Sequence, residues 1–127
     1  MTIRAILADY PGQVVRLCLL KAHYREDVEY DKDCFRRTRE EYDAMRAAIA
    51  AAKAARGTGT GGKVDAALEA TKASFVSAMD DDFNTPEAVY RLQQLTEALR
   101  ELPQVSAEEG DRVVALYREL GGVLGLF

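Results

Sequence analysis

The chain has 127 residues, 48% of them hydrophobic and 30% charged, with a formal net charge of −4. That is enough for one buried core and too little for two, and no apolar run reaches the roughly 18 residues a membrane helix needs. Lys and Arg number 11 against 9 Asp and Glu in residues 1–62, but 6 against 12 in residues 63–127. A protein that holds nucleic acid by overall charge has no such balance, so DNA is not an expected partner, and RNA contact would need a local stripe in the first half.

The start MTIRAILADY lacks a basic region followed by an apolar one, so neither secretion nor a membrane is expected. Cys18 and Cys34 show no metal-ligand spacing and read as free buried thiols in a reducing cytoplasm.

Apolar spacing predicts helix almost throughout, without an alternating strand. Thr2 caps a short helix to about Tyr10, which Pro11–Gly12 interrupts. The segment QVVRLCLLKAHY is apolar on nearly all sides, which predicts a central helix packed from several directions. After an irregular link over 25–30, Asp31 caps a long helix to about Ala55. Its seam of Phe35, Thr38, Tyr42, Met45, Ile49 and Ala52 steps by three and four.

RGTGTGG, residues 56–62, ends that helix as a flexible loop. A fourth helix spans about Val64–Met79, with Val64, Leu68, Phe75 and Met79 inward. A fifth starts at Thr85–Pro86, cap and first position, and carries Val89, Leu92, Leu95 and Leu99. Ser106 and Glu109 form a capping box for a last helix that buries Val113, Leu116 or Tyr117, Leu120 and Leu124. The sum is one all-α helix bundle over residues 1–127.

Four groups of residues invite a chemical reading. RGTGTGGK lacks the preceding strand and the Ser or Thr after Lys63 that a phosphate loop requires, so it reads as a connector. Cys18, His23 and Cys34 do not share a helix face and offer no second ligand pair. In MDDDFNTPEAV, the carboxylates of Asp80, Asp81 and Asp82 suit a hard cation, but the alternating oxygens and glycine of a calcium loop are missing. A helix corner fits better. Asp82 and Asn84 would cap turn amides, Phe83 would enter the core, and Thr85 with Pro86 would start the next helix. Asp80 and Asp81 sit at the unfavourable end of the fourth helix, so at least one should pair with a basic side chain or cap a neighbouring segment.

The last group is a basic stripe. Lys32, Arg36, Arg39, Arg46 and Lys53 fall within roughly a quarter-turn of the long helix, interrupted by Asp43, with Arg25 close enough to join them. A solvated face with paired charges is one reading. Contact with the phosphates of a nucleic acid is the other.

MDDDFNTPEAV resembles the acidic-Phe-Asn-Thr-Pro motif of bacterial-type cysteinyl-tRNA synthetases, in the helical domain after the catalytic core. TIRAILADYPGQVVRLCLLKAHYRED resembles the segment following the KMSKS loop in that family. The family's DALR turn reads Gln13-Val14-Val15-Arg16 here and keeps only the arginine. His23-Tyr24-Arg25 keeps the HYR step, but Glu26-Asp27 replaces the usual serine-proline. LGGVLGLF is similar to the close of the family's helical domain.

The resemblance implies a helix bundle of the class Ia aminoacyl-tRNA synthetase anticodon-binding type. Its role would be to support cysteine tRNA beside the enzyme's catalytic domain, with the basic stripe as the RNA-facing element. The HIGH and KMSKS elements, the zinc-holding positions and the anticodon-reading domain of such enzymes are absent from these 127 residues. No catalysis and no cofactor are therefore expected of this stretch, while ATP and zinc belong to a parent enzyme. A free-standing protein-interaction module, or the equivalent domain of a mycothiol cysteine ligase, is the alternative.

Overall fold

The computed structural model describes residues 2–25 and 30–127. Among the described residues there are six helices and no strand. Glu26 and Asp27 lie outside them.

Helix α1, Ile3–Asp9, begins where the Thr2 hydroxyl accepts the Ala5 amide at 3.2 Å. None of its own residues is buried. Helix α2, Gly12–Leu20, starts after Pro11 and is shorter than its apolar run, ending before Lys21. It is also a flanking helix and not the central one. Val14 and Leu17 reach the main core, whereas Val15 and Cys18 pack with Phe35 in a smaller cluster edged by Ile6, Tyr10, Tyr30 and Cys34. Leu19 keeps 46% of its surface exposed. Neighbours on only part of its circumference leave that side uncovered.

Four long helices form the bundle: α3 (Lys32–Lys53), α4 (Lys63–Asp80), α5 (Thr85–Arg100) and α6 (Ala107–Leu124). Helices α3 and α4 each pack against both α5 and α6, so they stand at opposite corners. The seam expected on α3 is the set it buries: Phe35, Thr38, Tyr42, Met45, Ile49 and Ala52. Asp31 caps it through the Cys34 amide at 2.8 Å. Helix α4 buries Ala78 in place of Met79, which packs at the core's edge. Helix α6 buries both Leu116 and Tyr117, and the Ser106–Glu109 capping box is present.

Small residues set how closely helices meet. A Cβ added at Gly110 would lie 2.1 Å from the Ala52 carbonyl oxygen, so α6 passes α3 at backbone distance. The alanine-rich end of α3 matches this approach, which also leaves an open groove of about 570 Å³ beside Ala48, Ala51, Leu99, Leu102 and Val105.

The glycine-rich loop is hydrogen-bonded to the segment that leads into α6. Gly57 and Gly59 donate to the Val105 and Gln104 carbonyls at 2.8 and 2.7 Å. The Thr60 amide donates to Glu109 at 3.0 Å, and the Thr60 hydroxyl also bonds that carboxylate. With the Ser106 amide added at 3.1 Å, these donors hold the Glu109 carboxyl below the usual carboxylate range, the Thr60 hydroxyl foremost.

Candidate functional site

The acidic corner is built by backbone that curls over the end of α4. Asp82 and Phe83 both adopt left-handed conformations, with φ of 52° and 51°. This turns the Phe83 amide back to the Met79 carbonyl at 3.2 Å and the Asn84 amide to the Ala78 carbonyl at 3.1 Å. Carbonyls that a helix end leaves orphaned are thereby satisfied.

The same geometry corrects three expectations. Phe83 points outward and is 63% exposed, because a left-handed residue following another throws its side chain away from the bundle. Asn84, not Thr85, caps α5, accepting the Glu87 amide at 3.3 Å. The Thr85 hydroxyl instead reaches across to the Ala22 carbonyl at 3.5 Å, and Pro86 takes its place in the first turn. Among the described residues Asp82 caps no turn amide; its carboxylate faces Tyr24 and Arg25 in the link after α2.

There the His23-Tyr24-Arg25 step closes on Asp82. The Tyr24 hydroxyl donates to its carboxylate at 2.7 Å, and Arg25 Nε stands 3.3 Å away. His23 Nδ1 accepts the Arg25 amide at 3.2 Å, which leaves Nε2 to carry the hydrogen and donate to the Asp82 carbonyl at 3.0 Å. The two rings stack at 4.7 Å. The bond to Asp82 favours the neutral phenol and raises Tyr24 above its ordinary pKa.

Asp81 accepts the Asn84 side-chain amide at 3.3 Å within the corner, while Asp80 has no ion-pair partner among the described residues. The basic partner expected at Asp80 or Asp81 is found at Asp82 instead, because the link after α2 reaches only the last of the three carboxylates.

A second long-range clasp joins Arg16 to the chain's end. Its Nε donates to the Leu124 carbonyl in the last turn of α6, where a cation is favoured. Gly125 follows at φ 73°, and a Cβ there would sit 2.4 Å from Arg16 Nε. The glycine gives both the left-handed turn and room for the guanidinium.

The basic stripe divides. Arg36 lies 3.4 Å from Asp33 and 3.8 Å from Glu40, and Arg39 lies 3.9 Å from Asp43. Arg46 sits over the Tyr42 ring at 6.0 Å. Lys32 and Lys53 have no carboxylate partner among the described residues. Arg25, 68% exposed at its side chain, stands 3.3 Å from the Asp82 carboxylate.

Residues 74–127 match the DALR domain family. Nearly the whole chain, 98%, is similar to cysteine–tRNA ligases. That of Proteus mirabilis is 36% identical over 125 residues, that of Azotobacter vinelandii 35% over 125, and that of Symbiobacterium thermophilum 38% over 134. The chain is thus similar to cysteine–tRNA ligases along nearly all of its length, and to the DALR domain family over residues 74–127. It spans about a quarter of the length of the relatives it matches, 26%, 25% and 28% of these three.

The clasps involve the segments whose sequences resemble the synthetase family. The HYR step meets the acidic-Phe-Asn-Thr-Pro corner, and Arg16 meets the closing LGGVLGLF. The match to the DALR family begins at Ser74, so Arg16 lies outside it and inside the ligase similarity.

Among the described residues, no three His, Cys, Asp or Glu side chains converge as a metal site. Zinc does not fit here: His23 is turned to Asp82, away from the cysteines. Sequence spacing did, however, miss that Cys18 and Cys34 meet, their sulfurs 2.8 Å apart. It also missed Lys21, which bridges Glu41 at 2.9 Å and Thr38 at 3.1 Å.

Proposed function

We propose that this chain is the tRNA-supporting helical domain of a cysteine–tRNA ligase, positioning cysteine tRNA for ligation elsewhere in a longer protein. Similarity to those ligases over 98% of the chain is the observation that carries the reading. The domain itself performs no chemistry in this proposal; ATP and zinc are held by the catalytic part, and the setting is the cytoplasm. Residues 1–127 act as one unit, and the acidic corner is structural, locking the link after α2 to the α4–α5 turn.

The RNA-facing element is the α3 stripe, with Lys32, Arg46 and Lys53 as its available cations. Arg36 and Arg39 contribute less, since their charge is partly met by Asp33, Glu40 and Asp43. Arg25 contributes through its exposed guanidinium while paired with Asp82. Contacts of this kind read the shape and phosphates of an RNA stem, and each lost phosphate contact lowers the salt slope by roughly 0.7–0.9.

The test is electrophoretic binding of cysteine tRNA by the chain at graded salt. Arg46→Glu with Lys53→Glu should weaken binding more than Arg36→Glu with Arg39→Glu. Binding unchanged by either pair removes the stripe from the interface.

A further inference from the structure

We infer that Cys18 and Cys34 form a reversible dithiol modification site, at which a small disulfide oxidant staples α2 to the first turn of α3. The two sulfurs lie 2.8 Å apart, in hydrogen-bond contact, although 16 positions separate them. Each is fixed from a different side. Cys18 is 1% exposed between Val15 and Phe35, and the Cys34 amide is held at 2.8 Å by the Asp31 cap. Both thiols are free.

Access gives the pair an order. Cys34 is partly exposed and meets the oxidant first, whereas Cys18 is enclosed. Burial, then the hydrogen bond with Cys34, pushes the Cys18 thiol up to about 12, so it is protonated at rest.

With glutathione disulfide as the oxidant, the Cys34 thiolate attacks one glutathione sulfur. The glutathione S–S bond breaks, a Cys34–glutathione mixed disulfide forms, and one glutathione thiolate departs with the proton Cys34 gave up. Cys18 then loses its proton and attacks the Cys34 sulfur, and the second glutathione leaves as a thiol. The two cysteines are oxidised by two electrons, and one glutathione disulfide is reduced to two thiols.

The staple closes a loop containing Lys21, His23, Tyr24 and Arg25. These residues reach Glu41 and Asp82, so oxidation would also fix the link that faces the acidic corner.

The experiment treats the folded chain with graded glutathione disulfide and reads intact mass, thiol alkylation and thermal midpoint. An intramolecular disulfide is expected: mass lower by two hydrogens, both thiols protected, reversal by dithiothreitol, and a midpoint raised by roughly 5–15 °C. Cys18→Ala should stop at a glutathione adduct on Cys34, and folded Cys34→Ala should not react. A stable mixed disulfide in the unsubstituted chain, a disulfide-linked dimer, or no reaction overturns the site. Because mass is read on the unsubstituted chain, poor folding of either variant leaves that result intact.

Discussion

The Tyr24 hydroxyl donates to the Asp82 carboxylate at 2.7 Å, joining positions 58 residues apart. With Arg25 at 3.3 Å and His23 on the Asp82 carbonyl, one residue gathers the whole link after α2. All of these groups are partly solvated, so the contribution to global stability is small and the effect is local. Asp82→Ala should move the thermal midpoint by no more than about 2 °C. It should nevertheless shift the backbone amide resonances of Ala22–Arg25. A spectrum unchanged in that segment would show that the clasp does not order it.

Phe83 supplies a sharper contrast. A buried phenylalanine cut to a small residue costs about 3–5 kcal/mol. Phe83 is 63% exposed and left-handed, so Phe83→Gly loses little packing and relieves a strained φ. Chemical unfolding should place Phe83→Gly within about 1 kcal/mol of the unsubstituted chain. A loss of core size would return Phe83 to the interior.

Gly110 is the reverse case, where propensity and packing oppose each other. Alanine in a helix interior is favoured over glycine by up to about 1 kcal/mol. The added methyl would meet the Ala52 carbonyl oxygen at 2.1 Å, and backbone cannot rotate aside as a side chain can. Overpacking therefore wins, and Gly110→Ala should destabilise by about 1–3 kcal/mol in urea titration. Ala52→Gly should not rescue it, because the clash is with backbone.

What could be read from the chain divides by distance. The seam of α3, the Thr2 and Asp31 caps and the Ser106–Glu109 box lie within a few residues or one helix, and all are present. Contacts whose partners lie far along the chain left no local trace. The glycine loop's hydrogen bonds run to Gln104, Val105 and Glu109, more than 40 positions away, so nothing near the loop announces them. Cys18 and Cys34 sit on different helices, so spacing could not show that they meet.

Phe83 in the core and Thr85 as the cap of α5 failed for another reason. Two successive left-handed residues without glycine are rare, and a Thr-Pro pair is the commoner helix start. For the proposed RNA-facing stripe, periodicity placed five cations on one face of α3. It did not show that Asp33, Glu40 and Asp43 partly neutralise Arg36 and Arg39.

Tyr117 couples the bundle core to alkaline pH. Its hydroxyl and that of Thr96 are 2.6 Å apart in the interior, where Thr96 also donates to the Leu92 carbonyl at 2.9 Å. Burial pushes the phenol up to about 12, against an ordinary value of 10.0. Below pH 10 the phenol is neutral in both folded and unfolded chains, and stability is independent of this group. Between about 10 and about 12 the unfolded chain gives up the proton while the folded chain keeps it, so stability falls as pH rises. Two units correspond to ~3 kcal/mol at most.

Tyr117→Phe removes that loss together with one hydrogen bond. Near neutrality it should be less stable by about 0.5–1.5 kcal/mol, because Thr96 keeps its bond to Leu92. Toward pH 11 the deficit should shrink or reverse. Urea midpoints at pH 8 and pH 11 decide it: an equal gap at both would mean that Tyr117 does not carry the alkaline transition.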